Sequence, residues 1–308
     1  MTEPIRSYTS GQGGATRSLF EFARLFRRSW RVSRNIEPEV NDLMKMLHEA
    51  EQFVAQHGGG KRIEDCRVLE IGPGQLPRQL AYFALKNDAI GIDLDVIPQG
   101  LDLPGYARMW RNNGAKRVIK TIGRKVLRFD VQFAREMCRQ MNVPRLPNPP
   151  VRQMDATRTD FADASFDFIY SFSVFEHLPD PDAVLREQAR LLKPGGVAYN
   201  HLHLYTCDDG GHDLRIRKNE REGMPYWPHL RPQHQAMVEA FAYINKLRLD
   251  EWRAIFSKAM PGCAFAHDMD TGELPAALRE LRAAGELAEY TDEELLTHNF
   301  IMIWRKPS

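Results

Sequence analysis

The sequence lacks several features that would assign a class at once. Its 308 residues include only four cysteines, Cys66, Cys138, Cys207 and Cys263, and no two of them form a Cys-x-x-Cys pair. Scattered cysteines are typical of reduced thiols rather than of a disulfide framework. No apolar run approaches the roughly 20 residues that cross a bilayer, and residues 2–14 lack the apolar core of a signal peptide. We therefore expect a cytoplasmic protein without a transmembrane segment.

Charge of neither sign is in excess, since the formal net charge is +1. A nearly neutral chain argues neither for nor against a polyanionic partner. The charge is nevertheless unevenly distributed, because eight basic residues and no acid lie between Gly105 and Arg128. Such a run is usually the solvated face of a helix, but it could also guide an anionic substrate or a nucleic acid.

The chain contains no internal repeat, and its length suits one decorated domain. Residues 1–60 are predicted to form an N-terminal helical cap. An Arg-rich and Phe-rich helix within residues 17–34 could pack on the domain, form a dimer contact or lie on a membrane surface. A second helix, Pro38 to Gln56, should end at the glycines of residues 58–60.

Residues 61–308 have the alternating strand and helix pattern of a doubly wound, mostly parallel α/β sheet. The pattern predicts the following elements: strand Arg67–Ile71, helix Pro77–Lys86, strand Ala89–Leu94, strand Val151–Met154, strand Phe166–Ser171, helix Asp182–Leu192, strand Val197–Leu204, helix Asp250–Ala259, strand Cys263–His267 and strand His298–Trp304.

Two segments interrupt this pattern. Residues 97–150 are predicted to be an insertion with helices near Tyr106–Asn112 and Asp130–Met141. Residues 205–248 are predicted to be a loop and helix on the substrate side, with the helix near Gln235–Leu247. The turn Lys193–Gly196 should separate a helix from the strand that follows.

Acidic and glycine residues follow several of the predicted strands. Glu70 and the turn Gly72-Pro-Gly74 end the first strand, and Asp93 ends the second. Asp155 follows the third strand, and Ser171 to His177 follow the fourth. Ligands of open α/β sheets bind beyond the carboxyl ends of the strands. A carboxylate after the second strand suits the two hydroxyls of a ribose, so a nucleoside-like cofactor is expected here.

The ordered motifs resemble those of class I S-adenosylmethionine-dependent methyltransferases from about Cys66 to Trp304, apart from the insertion. They are LEIGPGQ, GIDLD, the pair Asp155-Ala156, FDFIYSFSVFEHLPDP and LLKPGG. The resemblance implies a Rossmann-like sheet of seven strands with an antiparallel C-terminal strand, and S-adenosylmethionine as cofactor. It places Gly72 and Gly74 against the methionine part, Glu70 at its amino group, Asp93 at the ribose and Asp155 with Ala156 at the adenine. Further residues assigned to the cofactor are Gln75, Leu94 and Ser171.

The glycine motif departs from the family pattern at one position. Leu76 stands where the family often has a third glycine. A dinucleotide site fits less well, because Gly-x-Gly-x-x-Gly is not completed and Pro77 lies in the loop. A sulfonium cofactor carries no phosphates and so does not need a pyrophosphate-binding loop.

Six of the ten histidines lie between His177 and His234, beside the expected methyl group. A histidine can remove the proton of a hydroxyl acceptor, and the candidates are His177, His201, His203 and His212. His177 could instead have a structural or cofactor-side role. His201 and His203 share one face of a strand. These two could form a base and its neighbour, a polar strand end, or a divalent-metal site with Asp208, Asp209, His212 and Asp213. No metal ligand is assigned from the sequence.

The stretch Met224–Arg231 combines apolar rings with His229 and Arg231. It could stack and hydrogen-bond a polar ring or a sugar, or it could be a proline-stiffened loop packed on the domain.

The sequence thus predicts an S-adenosylmethionine-dependent methyltransferase that acts on an oxygen of a small molecule or saccharide, which could be anionic, with His201, His203 or His177 as base. One alternative is methylation of nucleic acid or protein, although the Asn-Pro-Pro-Tyr-like motif of many base methyltransferases is absent after the fourth strand. Another is a catalytically silent cofactor-binding module. A homodimer is possible, and a nucleic-acid partner is not expected.

Overall fold

The computed structural model of the protein describes residues 35–95, 103–113, 118, 121, 129–216, 221–240 and 242–308. Within them, seven strands form a single sheet in the order β3-β2-β1-β4-β5-β7-β6. The strands are β1 (Arg67–Ile71), β2 (Asp88–Asp93), β3 (Val151–Gln153), β4 (Phe166–Phe172), β5 (Leu192–His203), β6 (Ala264–Met269) and β7 (Thr297–Arg305).

Helices flank this sheet on both faces. The described helices are α1 (Glu37–His57), α2 (Arg78–Phe83), α3 (Leu103–Asn113), α4 (Phe129–Met141), α5 (Pro181–Leu191), α6 (Leu249–Ala259), α7 (Leu274–Ala283) and α8 (Asp292–Leu296), with 3-10 turns at Phe175–His177 and Gln235–Met237. Among the helices within the described ranges, none is both long and apolar enough to cross a membrane.

The strand pairing confirms the predicted fold class. β1 lies in the middle of the parallel part, paired with β2 on one side and β4 on the other, so that Glu70 stands between Gly91 and Tyr170. β7 runs antiparallel between β5 and β6, and His203 of β5 faces Asn299 of β7. The C-terminal strand therefore begins at the edge where the parallel strands end.

Alternating residues of the strands fill a core on each face of the sheet. On β5, Val197 and Tyr199 face one core, whereas Ala198 and Leu202 face the other. The first core is covered by α1, which places apolar side chains at a spacing of one heptad on the sheet: Val40, Leu47 and Val54. The predicted helix Pro38–Gln56 is confirmed to within one residue at each end. The Arg-rich and Phe-rich segment at 17–34 lies outside the described residues.

The insertion after β2 packs on helix α1 of the predicted N-terminal cap. Helix α4 lies beside α1, where Arg139 Nη2 is 3.2 Å from Glu37 Oε1 and Gln140 donates to Asn41 at 2.7 Å. Both predicted helices of the insertion are present. The basic run from Gly105 to Arg128 lies largely outside the residues described at side-chain level.

Two local predictions were wrong. The helix predicted at Gln235–Leu247 is a single 3-10 turn at Gln235–Met237, and the described residues from there to Leu247 have no helix. Tertiary bonds take the backbone groups that a helix would use, because Asp213 accepts from the Glu239 N–H at 2.8 Å and Asn245 N–H donates to the Glu176 carbonyl at 2.9 Å. The part of 205–248 that is described is therefore loop rather than loop and helix.

The second correction concerns Lys193–Gly196. These residues do not stand outside the sheet but form a bulge within β5, since Phe166 pairs with Leu192 and Phe168 already pairs with Val197. The bulge closes on β7, because the Lys306 N–H donates to the Gly196 carbonyl and the Gly195 N–H donates to the Lys306 carbonyl.

Candidate functional site

The glycine turn after β1 contacts both neighbouring strand ends. The Gly72 N–H donates to the Ile92 carbonyl of β2 at 2.8 Å. Gly72 has φ +71°, and a Cβ there would stand 2.6 Å from Cγ2 of Val174, which follows β4. A side chain would therefore strain the backbone and collide with a neighbour. The turn and the segment after β4 are thus in direct contact, as the order of the motifs predicted.

Asp93 holds the second half of this turn. One carboxylate oxygen accepts from the Gly74 N–H at 2.9 Å, and the other accepts from the Asp95 N–H at 2.8 Å. Gly74 has φ +65°, and no heavy atom of the described residues lies within 4 Å of the position that its Cβ would occupy. The backbone at Gly74 is therefore open to a ligand. A carboxylate can accept hydrogen bonds from hydroxyl groups.

Glu70 is buried directly behind the turn. Only 2% of its surface is exposed, and the Tyr170 hydroxyl donates to its carboxyl at 3.0 Å. Burial raises the pKa of Glu70 to about 8, with the charge of Asp93 acting in the same direction. At neutral pH the carboxyl is protonated, and a cation placed beside it would favour its ionised form.

The residues after β3 lie next to Asp93. The Met154 N–H donates to the Asp93 carbonyl at 2.9 Å, which places Asp155 and Ala156 at the same edge. Asp155 uses Oδ1 to accept from the N–H and the hydroxyl of Thr157, both at 2.8 Å. Assignment of Asp155 and Ala156 to an adenine stays a prediction.

Three further predicted cofactor residues have different surroundings. Gln75 helps to line a cleft between the turn, α1 and α4, together with Leu43, Leu76 and Phe133. The Leu94 carbonyl accepts from the Gln153 side chain at 3.0 Å. The side chain of Ser171 is fully buried, and its hydroxyl donates to Asn200 at 2.9 Å. The backbone of Ser171 is buried as well, because it pairs with Ile71 of β1 and Asn200 of β5.

A compact polar cluster lies beyond the end of β5. His203 Nε2 is 3.0 Å from Asp209 Oδ1 and 3.3 Å from Cys207 Sγ. The same Asp209 oxygen is 3.2 Å from His298 Nδ1 and 3.3 Å from Cys207 Sγ. Residues from a strand end, a loop and the start of the C-terminal strand therefore converge on one point.

The charges in this cluster are mutually dependent. Burial lowers the pKa of His203, but the hydrogen bond and charge of Asp209 outweigh it, so the net shift is upward. The hydrogen bond that His298 donates to Asp209 likewise raises the pKa of His298. Burial would raise the pKa of Asp209, yet both histidines together hold it far below its usual range. Burial raises the pKa of the Cys207 thiol well above normal.

A second group of polar side chains follows β4. Glu176, His177 and His212 each offer a ligand atom, and these atoms lie within 4.8 Å of one another. The His212 ring centroid is 5.0 Å from that of His177 and 5.4 Å from that of His203, so His212 joins the two groups. Glu176 Oε2 is buried and has no hydrogen-bond partner among the described residues.

His177 is partly exposed, like His203 and unlike the buried His201. Its Nδ1 lies 2.6 Å from the Tyr243 carbonyl oxygen. A carbonyl only accepts hydrogen bonds, so we assign the proton of the neutral ring to Nδ1. Nε2 then carries the lone pair.

His201 does not join the cluster at His203. Its ring lies against Phe172, with the ring centroids 5.5 Å apart, and 7% of the residue is exposed. Burial lowers the pKa of His201 to about 4. A buried imidazole of this kind stays neutral at neutral pH but is poorly placed to meet an acceptor.

The divalent-metal set considered from the sequence is corrected in part. His203 and Asp209 are together, but Asp208 pairs with Arg221 and accepts from the Trp227 N–H. Asp213 pairs with Arg215. These two carboxylates are used to hold the loop and do not point to the cluster.

The stretch Met224–Arg231 packs on the domain and does not present a stacking surface. Trp227 is fully buried and Leu230 nearly so, in a small core with α7 and α8. His229 is 5% exposed and contacts the Tyr205 carbonyl, and Arg231 pairs with Glu286. The packed-loop interpretation is therefore the better one.

Sequence analysis did not assign Cys207, His298 or Glu176 to a site. A signal for His298 was present, because an antiparallel final strand begins where its parallel neighbour ends. The observed register places His203 opposite Asn299, next to His298. For Cys207, the spacing His203-x3-Cys207-x-Asp209 was a further signal.

Comparison with known proteins gives one family match. Residues 113–200 match the family model described as "Methyltransferase domain". The match covers β3, β4, α5 and most of β5, but not the glycine turn after β1.

Curated relatives match only short parts of the chain. A methyltransferase named GfsG from Streptomyces halstedii is 50% identical over 42 residues, which are 14% of this chain and 15% of that protein. The phosphatidylethanolamine N-methyltransferase of Cereibacter sphaeroides is 37% identical over 70 residues, 22% of this chain and 34% of that protein. The chain thus spans about a third or less of the length of these relatives.

Among solved structures, the YcgJ protein of Bacillus subtilis is 19% identical, with a TM-score of 0.40 over 85% of this chain and 99% of that one.

Proposed function

We propose that this chain, of which residues 113–200 match a methyltransferase domain, transfers the methyl group of S-adenosylmethionine to an oxygen of a small molecule or saccharide. The observation that carries the proposal is the contact between the glycine turn and the histidine-bearing segment after β4. Val174 touches the turn at Gly72, and His177 follows three residues later. A donor held at the turn would therefore have an imidazole nearby.

The residues around the turn suit the chemistry of this cofactor. The open backbone at Gly74 allows a close approach, and the Asp93 carboxylate can accept from ribose hydroxyls. Glu70 offers a buried carboxyl to the amino group, whose positive charge would lower the pKa of that carboxyl. Asp155 and Ala156 are proposed to contact the adenine. When bound, the cofactor supplies a methyl carbon that its sulfonium group has already activated.

The protein's own task is then to align the acceptor and remove its proton. A hydroxyl must lose its proton as the new bond to carbon forms, so a base beside it lowers the barrier. We assign this base to His177, whose Nδ1 contact with the Tyr243 carbonyl leaves the Nε2 lone pair available. Glu176 Oε2, buried and unpartnered among the described residues, is suited to accept a second hydrogen bond from the acceptor.

The other two histidines support this assignment by contrast. His201 is nearly buried against Phe172. His203 directs Nε2 to Asp209 and is part of the cluster beyond β5. Neither ring offers a lone pair to an acceptor in the way that His177 does. Replacement of His201 or His203 should therefore disturb local packing more than it disturbs proton transfer from the acceptor.

The test is a screen of hydroxyl-bearing acceptors, among them sugars, sugar acids and phenols, for release of S-adenosylhomocysteine. In the presence of an acceptor that is turned over, His177→Gln should lower kcat by about 10² or more without weakening cofactor binding in calorimetry. Asp93→Ala should instead weaken cofactor binding, because charge-assisted hydrogen bonds are lost. His48→Gln, an exposed change on α1, is the matched control and should alter neither quantity.

Three results would contradict the proposal. Full turnover by His177→Gln would remove the assigned base. Unchanged cofactor affinity in Asp93→Ala would remove the cofactor site. Methylation of RNA, DNA or protein, without turnover of any small-molecule acceptor, would show that the proposed class of acceptor is wrong.

A further inference from the structure

We propose that His203, Cys207, Asp209 and His298 form a closed, four-ligand site for a zinc ion. The four side chains each direct one ligand atom to a common point, and all four atoms lie within 4.8 Å of one another. They come from the end of β5, the loop after it and the start of β7. This site is separate from the proposed methyl-transfer chemistry and does not depend on it.

The measured spacings suit tetrahedral coordination. Zinc bonds of about 2.0–2.3 Å at tetrahedral angles place neighbouring ligand atoms about 3.3–3.6 Å apart. Here the Asp209 Oδ1 atom is 3.0 Å from His203 Nε2, 3.2 Å from His298 Nδ1 and 3.3 Å from Cys207 Sγ. His203 Nε2 and Cys207 Sγ are 3.3 Å apart. An outward movement of a few tenths of an ångström would therefore accommodate the ion.

The donor set selects zinc among the common divalent cations. Two imidazole nitrogens, a thiolate and a carboxylate give an N2SO site, whereas magnesium and calcium require oxygen ligands. A thiolate and a carboxylate together balance the two positive charges of the ion, so the loaded site is neutral. Neutrality matters because Cys207 is fully buried and the other three side chains are at most 30% exposed.

The surroundings orient three of the ligands. The second ring nitrogen of His298, Nε2, lies 3.6 Å from an Asp270 carboxylate oxygen, an arrangement found behind many zinc-bound histidines. The backbone N–H of His203 lies 3.4 Å from the Glu176 carboxylate. Cys207 is fixed by a turn in which its N–H donates to the Leu204 carbonyl at 3.4 Å. The rings and the sulfur are thus directed before an ion arrives.

Coordination by four protein groups is typical of structural zinc sites. The ion would bind the loop after β5 to the first residues of β7. The His212 N–H donates to the Asp209 carbonyl at 2.9 Å, so a fixed Asp209 also fixes His212 beside His177. On binding, the Zn–S bond replaces the S–H bond of Cys207, and that proton leaves to the solvent.

The experiment measures zinc in the full-length chain, expressed with added zinc and dialysed against metal-free buffer. The wild type should retain about one ion per chain, as expected for a site of this kind. Cys207→Ser and His298→Gln should each retain less than about a tenth of that amount. Cys263→Ser is the matched control, because Cys263 belongs to neither described cluster of metal-binding side chains. It should retain as much zinc as the wild type.

Cobalt provides an independent measurement on the chelator-treated protein. Co2+ should produce a thiolate-to-metal charge-transfer band and strong visible bands of tetrahedral coordination. The charge-transfer band should disappear in Cys207→Ser and persist in Cys263→Ser. Circular dichroism establishes that each variant is folded. If Cys207→Ser fails to fold, His298→Gln, whose side chain is 30% exposed, decides the matter.

Zinc far below one ion per chain in the wild type would overturn the proposal, and the four groups would then form a hydrogen-bonded cluster around Asp209. Equal zinc in wild type, Cys207→Ser and His298→Gln would also overturn it, by placing the ion elsewhere.

Discussion

Residues at the glycine turn have two roles. The glycines allow a tight backbone turn, and Glu70 carries a charge that depends on whether a ligand is bound. Its carboxyl is enclosed between strands and is bonded to the Tyr170 hydroxyl, and its pKa is raised to about 8. A group that is neutral when the site is empty and charged when a cation is near links ligand binding to proton release.

This shift predicts how stability depends on pH. The pKa of Glu70 in the folded protein is about 8, above its ordinary value of 4.5. The folded state therefore binds more protons between these two values, and stability should fall as pH rises from 4.5 through about 8. The slope contributed by this group is at most about 1.4 kcal/mol per pH unit. In Glu70→Gln the contribution is absent, since an amide does not titrate.

Urea denaturation of wild type and Glu70→Gln at several pH values checks this prediction. The difference in free energy of unfolding should move in favour of the variant as pH rises. Parallel curves for the two proteins from pH 5 to pH 8 would contradict it. Glu64→Gln is a suitable comparison, because Glu64 is a surface carboxyl whose pKa is lowered by its hydrogen bond to Lys86 and by the charge of Arg62.

At the scale of elements, the turn between β1 and α2 packs against the segment that follows β4. Gly72 and Gly74 both have positive φ, but within the part of the chain that the structure describes only Gly72 faces a neighbour, the Val174 side chain. The two glycines are thus required for different reasons. A left-handed backbone costs a residue with a Cβ about 1–2 kcal/mol, and a collision adds to that cost.

Gly72→Ala should therefore lower the free energy of unfolding more than Gly74→Ala does, by about 1–3 kcal/mol from overpacking. Replacing Val174 by Ala in the Gly72→Ala background should recover part of the loss, because the colliding methyl groups are gone. The double-mutant cycle is measured by urea denaturation. Equal costs for both glycines, with no coupling to Val174, would show that the contact is not what demands glycine at this position.

At the scale of the whole molecule, strands and most helices were predictable because their signals are local. Apolar alternation and glycine turns marked strands such as Arg67–Ile71, which the structure reproduces without change. The failed helix at Gln235–Leu247 had suitable residues, but the Asp213 carboxylate and the Glu176 carbonyl accept hydrogen bonds from its backbone N–H groups. These contacts join residues that are distant in the sequence, so no local sequence pattern predicts them.

The residues of the candidate site also fall into two groups, those that a local sequence pattern predicts and those that depend on contacts between distant parts of the chain. Asp93 at the turn could be predicted because it follows a strand next to a glycine motif. His298 could be assigned only by knowing that β7 lies next to β5, a pairing of residues about a hundred positions apart in the sequence. Similarly, the burial of Ser171 and His201 depends on what packs against β4 and β5 from other parts of the chain.

The position of β7 predicts the effect of truncation. β7 lies between β5 and β6, so its loss would remove the pairing partner of both strands. A chain that ends at Leu296 should be insoluble or lack a cooperative thermal transition, whereas removal of only Pro307 and Ser308 should have little effect. Soluble yield and circular dichroism measure this. A soluble, cooperatively folded protein ending at Leu296 would contradict the prediction.

The same interior position of β7 has a consequence for synthesis on the ribosome. Strands β1 to β5 are all complete once His203 has been added, but the polar cluster beyond β5 still lacks His298, which follows about a hundred positions later. The central strands can pair while translation continues, but this cluster can close only after His298 has left the exit tunnel. Long-range pairing of this kind is slow. The cluster should therefore form later than the central strands, and one edge of β5 lacks its partner β7 until then.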